Sequence, residues 1–251
     1  MDEMTMLETK LNRLAKNAMG DTPINLASPD DKSVLLYSRK VKDKSLWSLT
    51  FNLGHEMRGN TIKPKMRTRM KNKDFVQYVR RMTDIVYKTI GRQCETCRGS
   101  GRITPLKKDG SVGKAKRICK VCEGKGVVYT STGEVAGFKI IPRTPRDTAS
   151  AGFKTDKVTL EDRLSELSGD AREFCEAYVR YNALRTYLST FVEGMKNNVD
   201  DYNFIHPEFM QCVTATGRLS SRNPNFQNMP RGSTFAIRKV VESRFDDGFI
   251  L

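Results

Sequence analysis

The sequence has no long apolar run and comparatively few acidic residues. No stretch of 18 or more apolar residues occurs in its 251 positions, so it holds no pattern for a membrane-spanning helix. The Met-Asp-Glu start also lacks the basic and apolar regions of a signal peptide. We therefore expect a cytoplasmic protein without a membrane partner. Its 29 Asp and Glu face 44 Lys and Arg, and the net charge of +15 makes a polyanion the expected partner.

The positive charge is concentrated in two neighbouring segments. Residues 61–93 carry ten Lys or Arg against two acids, and residues 94–126 carry nine against three. Nearly the whole excess lies there, and a one-sided excess of this size usually contacts phosphate. A solvated basic face is the alternative. Residues 63–73 are too basic and too poor in apolar side chains to pack, which predicts a flexible, phosphate-facing loop.

Cysteine is rare as well, but four of the six cysteines form a repeat. The pattern Cys-x-x-Cys-x-Gly-x-Gly occurs at 94–101 and again at 119–126. Two thiolates separated by two residues can bind one metal ion from a tight turn, and two such turns complete a tetrahedral site. With four sulfur ligands and no position left for water, a zinc ion there would be structural. The predicted ligands are Cys94, Cys97, Cys119 and Cys122.

The segment between the two cysteine pairs contains Asp109-Gly110, a typical β-hairpin turn. We therefore expect a β-ribbon to bring the pairs together. A redox-active Cys-x-x-Cys is the alternative, but the βαβ pattern that accompanies such a motif is missing. Cys175 and Cys212 are expected to be buried thiols.

Apolar periodicity predicts several helices and two β regions. Alternation over 45–53 predicts a half-buried strand, with Trp47 packed in the core rather than stacked on a base. Residues 127–141 predict two strands around a turn at 131–133, ended by prolines. Five helices are predicted. The first runs from Leu7 to Ala18 and stops at Gly20, and the second starts at a Ser28 cap. The other three contain Phe75, Val79, Met82 and Val86; Thr155 to Leu167; and Phe174 to Met195.

Residues 214–230, here called the recognition loop, hold hydroxyls, amides and guanidinium groups but no carboxylate. Gly217, Pro224 and Pro230 interrupt any helical or strand period, so we expect an ordered loop. Such donors suit phosphates, sugars and base edges, whereas a Ser- and Asn-rich surface loop is the plain alternative. The polar side chains that we take as candidates are Thr214, Thr216, Arg218, Ser220, Ser221, Asn225, Gln227 and Asn228.

The order of residues in this loop resembles the family A (Pol I-like) DNA polymerases, whose palm entry reads T-x-T-G-R-L-S-S-x-x-P-N-L-Q-N-I-P. At the two apolar positions where the family pattern has Leu and Ile, this sequence has Phe226 and Met229. The resemblance implies that the loop grips primer–template DNA near the primer terminus, with Arg218 in the minor groove. It also implies DNA contacts for Thr216, Ser220, Ser221, Asn225, Gln227 and Asn228.

Two looser matches lie upstream. Ile24–Asp31 is similar to the family's thumb signature N-I-x-S-P-x-Q-L, and Leu188-Ser189-Thr190-Phe191 is similar to its K-S-T-Y word. Leucine replaces the lysine of that word, so the phosphate contact would fall to Arg180 or Arg185. The resemblance also continues through Ile237-Arg238 to residues 245–251, which look like the strand that leads to the first catalytic motif.

The resemblance implies an α+β fold: a helical thumb that carries a zinc-binding β-ribbon insertion, followed by the first antiparallel part of a palm. The expected domains are the first part of the thumb (1–43), a basic insertion (44–148) with the zinc ribbon (94–126), thumb helices (149–198) and palm entry (199–251), truncated before the first catalytic motif. We expect the basic hairpin of the insertion to follow the duplex backbone.

The implied activity is template-directed DNA synthesis in DNA replication by a phage-type enzyme, which would act in the host cytoplasm. Its Mg²⁺ ions are expected not to bind this chain, because the catalytic carboxylates would come from a second polymerase chain or a missing segment. The chain alone is therefore expected to be inactive. His206 is expected to be structural, since no nucleophile or carboxylate partner is placed for it.

A non-enzymatic zinc-stabilised protein is the alternative, binding nucleic acid or unfolded chains. The cysteine repeat is also similar to the cysteine-rich module of J-domain chaperones, which has four such words rather than two. This alternative explains the charge and the cysteines but not the order of residues in the recognition loop.

Overall fold

A computed structural model describes residues 2–53, 70–104, 116–211, 213–214, 216–229, 237–243 and 245. The chain divides into two compact units, Leu7–Ala177 and a unit formed by Met1–Met6 with Tyr178–Leu251. Helices combine with two-stranded antiparallel sheets in the described residues, which confirms the α+β class. The predicted loop at 63–73, apart from its last residues, and the Asp109-Gly110 turn lie outside the described residues, as does Cys212.

The helices begin and end where local sequence signals place them. Helix α1 (Glu3–Met19) is followed by Gly20 in the left-handed region, and Ser28 caps α2 (Pro29–Tyr37) by accepting a hydrogen bond from the Asp31 backbone. Asp156 caps α5 (Lys157–Arg163) in the same way, and a 3₁₀ turn follows at Leu164–Glu166. The Ser28 cap, the helix start at Thr155-Asp156 and the Gly20 stop were predicted from the sequence, whereas α1 begins four residues before the predicted Leu7.

Residues 45–53 form a helix, so the strand predicted there is wrong. Helix α3 (Lys44–Phe51) begins at Asp43, whose carboxylate accepts the Leu46 N–H, and ends at Asn52 in the left-handed region. Trp47 and Phe51 lie one turn apart and are buried, whereas Leu49 is 78% exposed. Alternating apolar letters suggested period two, but the cap and the four-residue spacing of the two large aromatic residues favour a helix.

Aromatic side chains fill the core around α3. The Trp47 ring lies 4.7 Å from Phe51 and 5.4 Å from Phe153, between ring centroids. Its indole N–H donates to the carbonyls of Ala149 and Gly152, at 3.1 and 3.2 Å, and the residue is fully buried. The prediction that Trp47 packs in the core is confirmed.

Three short strand pairs accompany these helices. Strand β1 (Arg39–Val41) pairs with β2 (Thr83–Ile85), which follows α4 (Asn72–Met82) directly, so Val86 lies beyond the helix in which it was predicted. Strands β4 (Arg102–Ile103) and β5 (Arg117–Ile118) pair inside the cysteine repeat, and β7 (Thr148–Ala149) pairs with β8 (Gly152–Phe153).

The longest sheet joins β3 (Tyr87–Gln93) to β6 (Val127–Val135). The two strands predicted around a turn at 131–133 are therefore wrong: these residues remain in one strand. The pairing shifts between Thr89↔Ser131 and Tyr87↔Val135, so the turn signal, with Gly133 at φ 82°, is used as a bulge.

A long helical segment leads into the second unit. Helix α6 (Gly169–Thr186) continues through π-helical residues Tyr187–Val192 into α7 (Glu193–Lys196), as the spacing from Phe174 to Met195 predicted. Further on, β9 (Glu208–Met210) pairs with β10 (Ser220–Arg222). Two 3₁₀ turns follow, Phe226–Asn228 and Ile237–Val240. In the described residues, no helix has a window apolar enough to cross a bilayer.

Candidate metal centre and recognition loop

The four cysteines of the repeat form one buried cluster. Their sulfur atoms all lie within 4.8 Å of one another, with Cys94 Sγ 3.8 Å from Cys119 Sγ and Cys97 Sγ 3.6 Å from Cys122 Sγ. These separations exceed the S–S bond length of about 2.05 Å, and the cysteines are free thiols. Among the described residues, these four cysteines are the one group of three or more potential ligands that could hold a metal ion.

The cluster has the size that a tetrahedral metal site requires. A Zn–S bond of about 2.3 Å places the ligands of a regular tetrahedron about 3.8 Å apart. The two closest sulfur pairs match this edge within a few tenths of an ångström. The four cysteines can therefore hold a metal ion.

The glycines of the repeat allow the two halves to approach each other. Gly101 and Gly126 adopt φ of +69° and +75°, and a Cβ atom on either would lie 2.2 or 2.3 Å from a carbonyl oxygen of the opposite half, that of Gly124 or Gly99. Matching bonds cross the centre as well: the Cys94 N–H donates to Gly126 and the Cys119 N–H donates to Gly101, at 2.8 and 2.9 Å. The two halves are thus related by an approximate two-fold arrangement.

The backbone also changes the acidity of the thiols. Burial opposes ionisation of Cys122, but the Gly126 N–H donates to its sulfur at 3.3 Å, and this bond together with the neighbouring thiols lowers the pKa of Cys122 to about 7. Burial and the neighbouring Cys122 thiol raise the pKa of Cys97 to about 11.

The cluster is carried by the β3–β6 sheet. The last pair of the ladder, Gln93↔Val127, is followed directly by the bond from the Cys94 N–H to Gly126. The β4–β5 pair continues the arrangement on the other side, with Ile103 packed against the cysteines. We call β3, β6 and residues 94–126 between them the cysteine arm. The predicted ribbon is present at its base, although its tip lies outside the described residues.

The recognition loop begins with a turn that presents Arg218. The Thr214 hydroxyl donates to the Arg218 carbonyl at 2.7 Å, and the Gly217 N–H donates to the Thr214 carbonyl at 3.1 Å. Gly217 has φ of +69°, a conformation that side chains disfavour. Thr216 and Arg218 are exposed on this turn.

The middle of the loop is held by a carboxylate. Glu208 in β9 accepts from Arg222 Nε at 2.6 Å and from Asn223 Nδ2 at 2.9 Å, and these bonds lower the pKa of Glu208. Ser220 pairs with Met210 and Ser221 with Phe209 across the two strands. The loop predicted for these residues therefore includes a short strand, β10.

Ser221 is buried, and its hydroxyl is used within the loop. It donates to the Pro224 carbonyl at 3.3 Å and accepts from the Phe226 N–H at 3.4 Å. Asn225 caps the following 3₁₀ turn by accepting the Gln227 N–H at 3.1 Å. The side chains of Asn225, Gln227 and Asn228 are exposed. The loop thus presents amide groups along one segment while its single buried hydroxyl holds the shape.

The arginines of α6 differ in their surroundings. Arg180 binds Glu3 through two hydrogen bonds, Nε to Oε1 at 2.8 Å and Nη2 to Oε2 at 3.2 Å, and the pKa of Glu3 is lowered by this pairing. Arg185 is exposed, with no ion pair among the residues that the structure describes. Of the two arginines weighed from the sequence, Arg185 is the one available for a phosphate contact.

Sequence reasoning missed several residues that shape the site. Glu208 lies in a region without a motif, and only its position before a donor-rich loop could have drawn attention to it. His206 does have a carboxylate partner, Asp200, at 2.9 Å, so the expectation that none is placed for it is wrong. The π-helical turn covers the Leu188–Phe191 word, and such turns often mark functional sites.

Comparison with known proteins gives a family match over part of the chain. Residues 138–250 match the DNA polymerase family A pattern. The chain is 41% identical over 86 residues, 34% of its length, to DNA polymerase I of Synechocystis sp.. It is 28% identical over 163 residues, 61% of its length, to the DNA polymerase of Bacillus phage SP01. It is 33% identical over 98 residues, 39% of its length, to the thermostable DNA polymerase I of Thermus aquaticus.

The chain spans only 8%, 17% and 11% of the length of these three relatives, respectively. The family match includes the recognition loop and excludes the cysteine arm. Through residues 138–250, the chain is similar to DNA polymerase family A.

Proposed function

We propose that the recognition loop grips primer–template DNA as the thumb and palm-entry part of a DNA-directed DNA polymerase that acts in DNA replication. The observation that carries the proposal is the turn that exposes Arg218, inside a segment that matches the polymerase family. Because Thr214 and Gly217 fix the backbone on which Arg218 stands, the guanidinium is presented without reorganising the loop.

The exposed side chains suit the minor groove near a primer terminus. Minor-groove base edges offer acceptors at every base pair, so a donor can bind there without reading the sequence. Arg218 supplies guanidinium donors, and Asn225, Gln227 and Asn228 supply amide donors from the 3₁₀ turn. We assign Thr216, Ser220 and Arg185 to sugar and phosphate. Ser221 contributes by holding the loop rather than by touching DNA in this conformation.

The site is suited to gripping DNA rather than to the chemistry of nucleotide addition. Polymerases use two metal ions held by carboxylates for that step. In the described part of the recognition loop and its neighbours, the carboxylate of Glu208 is already bound to Arg222 and Asn223. We propose that carboxylates outside the recognition loop, on another chain or another segment, hold the Mg²⁺ ions, and that the complete enzyme acts in the cytoplasm.

We propose zinc as the metal of the cysteine cluster, in a structural role. Four thiolates at tetrahedral spacing leave no ligand position for water, which is the arrangement of structural zinc sites. The cysteine arm would then be a rigid insertion between the thumb helices.

A binding assay with matched variants tests the grip on DNA. The chain is titrated against a primer–template junction, a blunt duplex and single-stranded DNA at several salt concentrations. Arg218→Ala should weaken binding to the junction by about 1–3 kcal/mol, roughly 5- to 150-fold, with little change in salt slope. Arg172→Ala is the control, because Arg172 is exposed on α6 and paired with Glu176.

Two outcomes would contradict the proposal. One is an equal effect of Arg218→Ala and Arg172→Ala on the junction. The other is an Arg218→Ala effect that is the same for every polyanion, which would favour a non-enzymatic zinc-stabilised binding protein. The second chain is tested separately, by primer extension with this chain, with a polypeptide that carries the missing polymerase parts, and with both.

A further inference from the structure

The cysteine arm carries cations that no described residue neutralises. Two of its lysines have carboxylate partners, Lys88 with Glu134 at 2.8 Å and Lys125 with Glu123 at 3.9 Å. In the described part of the arm, six further cations are exposed and have no ion pair with a described residue. They are Arg92, Arg98, Arg102, Lys116, Arg117 and Lys120. A surface that serves only to keep a protein soluble usually carries charges of both signs. Six cations unpaired among the described residues therefore indicate an anionic partner.

The two halves of the metal centre differ in what they present. In the first half, residues 94–101, the two positions between the cysteines are Glu95 and Thr96. In the second half, residues 119–126, they are Lys120 and Val121. The backbone geometry of the halves is closely similar, so this difference lies in the side chains alone. The second half is therefore the cationic side of the centre.

Two exposed apolar side chains accompany the cations of the second half. Ile118 is 64% exposed and Val121 is 59% exposed, and they flank Lys120 along the chain. Ile118 lies opposite Arg102 in the β4–β5 register, and Ile103 lies opposite Arg117 and packs against the cysteines. Opposite residues of an antiparallel pair share a face, so Arg102 and Ile118 lie on one face of the β4–β5 pair and Arg117 lies on the other, with Lys120 and Val121 in the turn that follows.

We propose that this part of the cysteine arm, Arg102 with residues 117–121, binds the sugar–phosphate backbone of duplex DNA as a second contact, separate from the recognition loop. The proposal rests on the proposed function only in taking DNA as the anionic partner. Phosphates recur every few ångströms along a duplex and attract Arg and Lys irrespective of base sequence. Ile118 and Val121 are placed to pack on the apolar edges of the sugars between the phosphates.

The backbone around the four cysteines holds these cations in place before DNA binds. Flexible basic tails bind phosphate as well, but they lose conformational entropy on binding. Here the bonds of Cys94 to Gly126 and of Cys119 to Gly101 fix the backbone, so less entropy is lost. Arg102 and residues 117–121 therefore act as a preformed phosphate clamp rather than as a basic tail.

Salt dependence of DNA binding tests the clamp on the full chain with zinc bound. Each phosphate contact on a duplex adds about 0.9 to the slope of log K against log salt. Arg117→Gln combined with Lys120→Gln should lower the slope for a primer–template by about 1.8, from two contacts at this value each. Lys10→Gln combined with Lys157→Gln removes the same charge from lysines paired with Glu173 and Glu161, at 2.8 and 3.7 Å, and should leave the slope unchanged.

A charge-preserving exchange, Arg117→Lys combined with Lys120→Arg, separates charge from folding and should keep the original slope. Zinc content is measured for every variant. Equal slopes in the Gln variant and the original chain, with zinc retained, would overturn the clamp, as would an equal fall in the Lys10 and Lys157 control. Loss of junction preference on Arg218→Ala is independent of these slopes, so the clamp and the proposed function can fail separately.

Discussion

Replacing Gly126 by alanine should weaken the metal centre far more than the same change at Gly133. Both glycines have φ near +80°, at +75° and +82°, so alanine is strained at either position. A Cβ atom at 126 would lie 2.3 Å from the Gly99 carbonyl oxygen, whereas a Cβ atom at 133 meets nothing within 4 Å. The pair therefore separates steric overlap from backbone strain.

The expected size of the effect follows from these two contributions. Left-handed backbone costs a residue with a side chain about 1–2 kcal/mol. Pushing a methyl group into packed backbone adds about 1–3 kcal/mol. Gly126→Ala should thus destabilise the metal-bound centre by about 2–5 kcal/mol, which corresponds to a zinc affinity about 30-fold to about 4,000-fold weaker. Gly133→Ala lies in the β6 bulge, outside the centre, and should change zinc affinity by no more than about twofold.

Competition with a chromogenic zinc chelator measures both affinities at one pH. Gly101→Ala is a second test of the same contact, because its Cβ atom would lie 2.2 Å from the Gly124 carbonyl oxygen. If Gly126→Ala and Gly133→Ala weaken zinc binding equally, the close approach of the two halves is not what holds the site.

Three further predictions follow from other contacts. Cys94→Ser should abolish stoichiometric zinc, whereas Cys175→Ser should retain it, because Cys175 is buried outside the cluster; metal content per chain decides this. Trp47→Ala should destabilise folding by about 3–5 kcal/mol and Leu49→Ala by less than about 0.5 kcal/mol in denaturant titrations, and two large losses would restore the strand interpretation. Hydrogen bonds from Asn223 and Arg222 lower the pKa of Glu208. The ionised carboxylate therefore stabilises the loop fully at pH above the ordinary pKa of 4.5, and this stabilisation is lost as pH falls through the lowered pKa. The Asn223 side-chain amide signal should report this transition by NMR, and a signal that titrates identically in Glu208→Gln would contradict it.

The order of short motifs made the family and the cysteine cluster predictable. The repeat at 94–101 and 119–126 fixed four ligands, because Cys-x-x-Cys spacing and the two glycines constrain the backbone locally. Capping worked for the same reason at Ser28, where proline and acids follow the cap within one turn. Features that depend on neighbouring residues in this way can be predicted from a single sequence.

Features that depend on distant partners were not predictable in this way. The 45–53 segment reads as alternating, yet the Asp43 cap and the core around Trp47 make it helical. The Ser131–Gly133 turn signal became a bulge because β3 offers a partner on both sides of it. Glu208 holds Arg222 and Asn223 from 14 and 15 residues away, and no local pattern announces that contact.

Site-specific photocrosslinking tests the central claim most directly. A photoreactive base is placed in turn at each primer position of a primer–template, the complex with this chain is irradiated, and the crosslinked peptides are identified by mass spectrometry. We expect peptides containing residues 214–229 to be crosslinked from the last few primer nucleotides and not from distant positions. Crosslinks of these residues spread evenly along the duplex, or absent while other segments are labelled, would contradict the claim that the recognition loop grips the primer terminus.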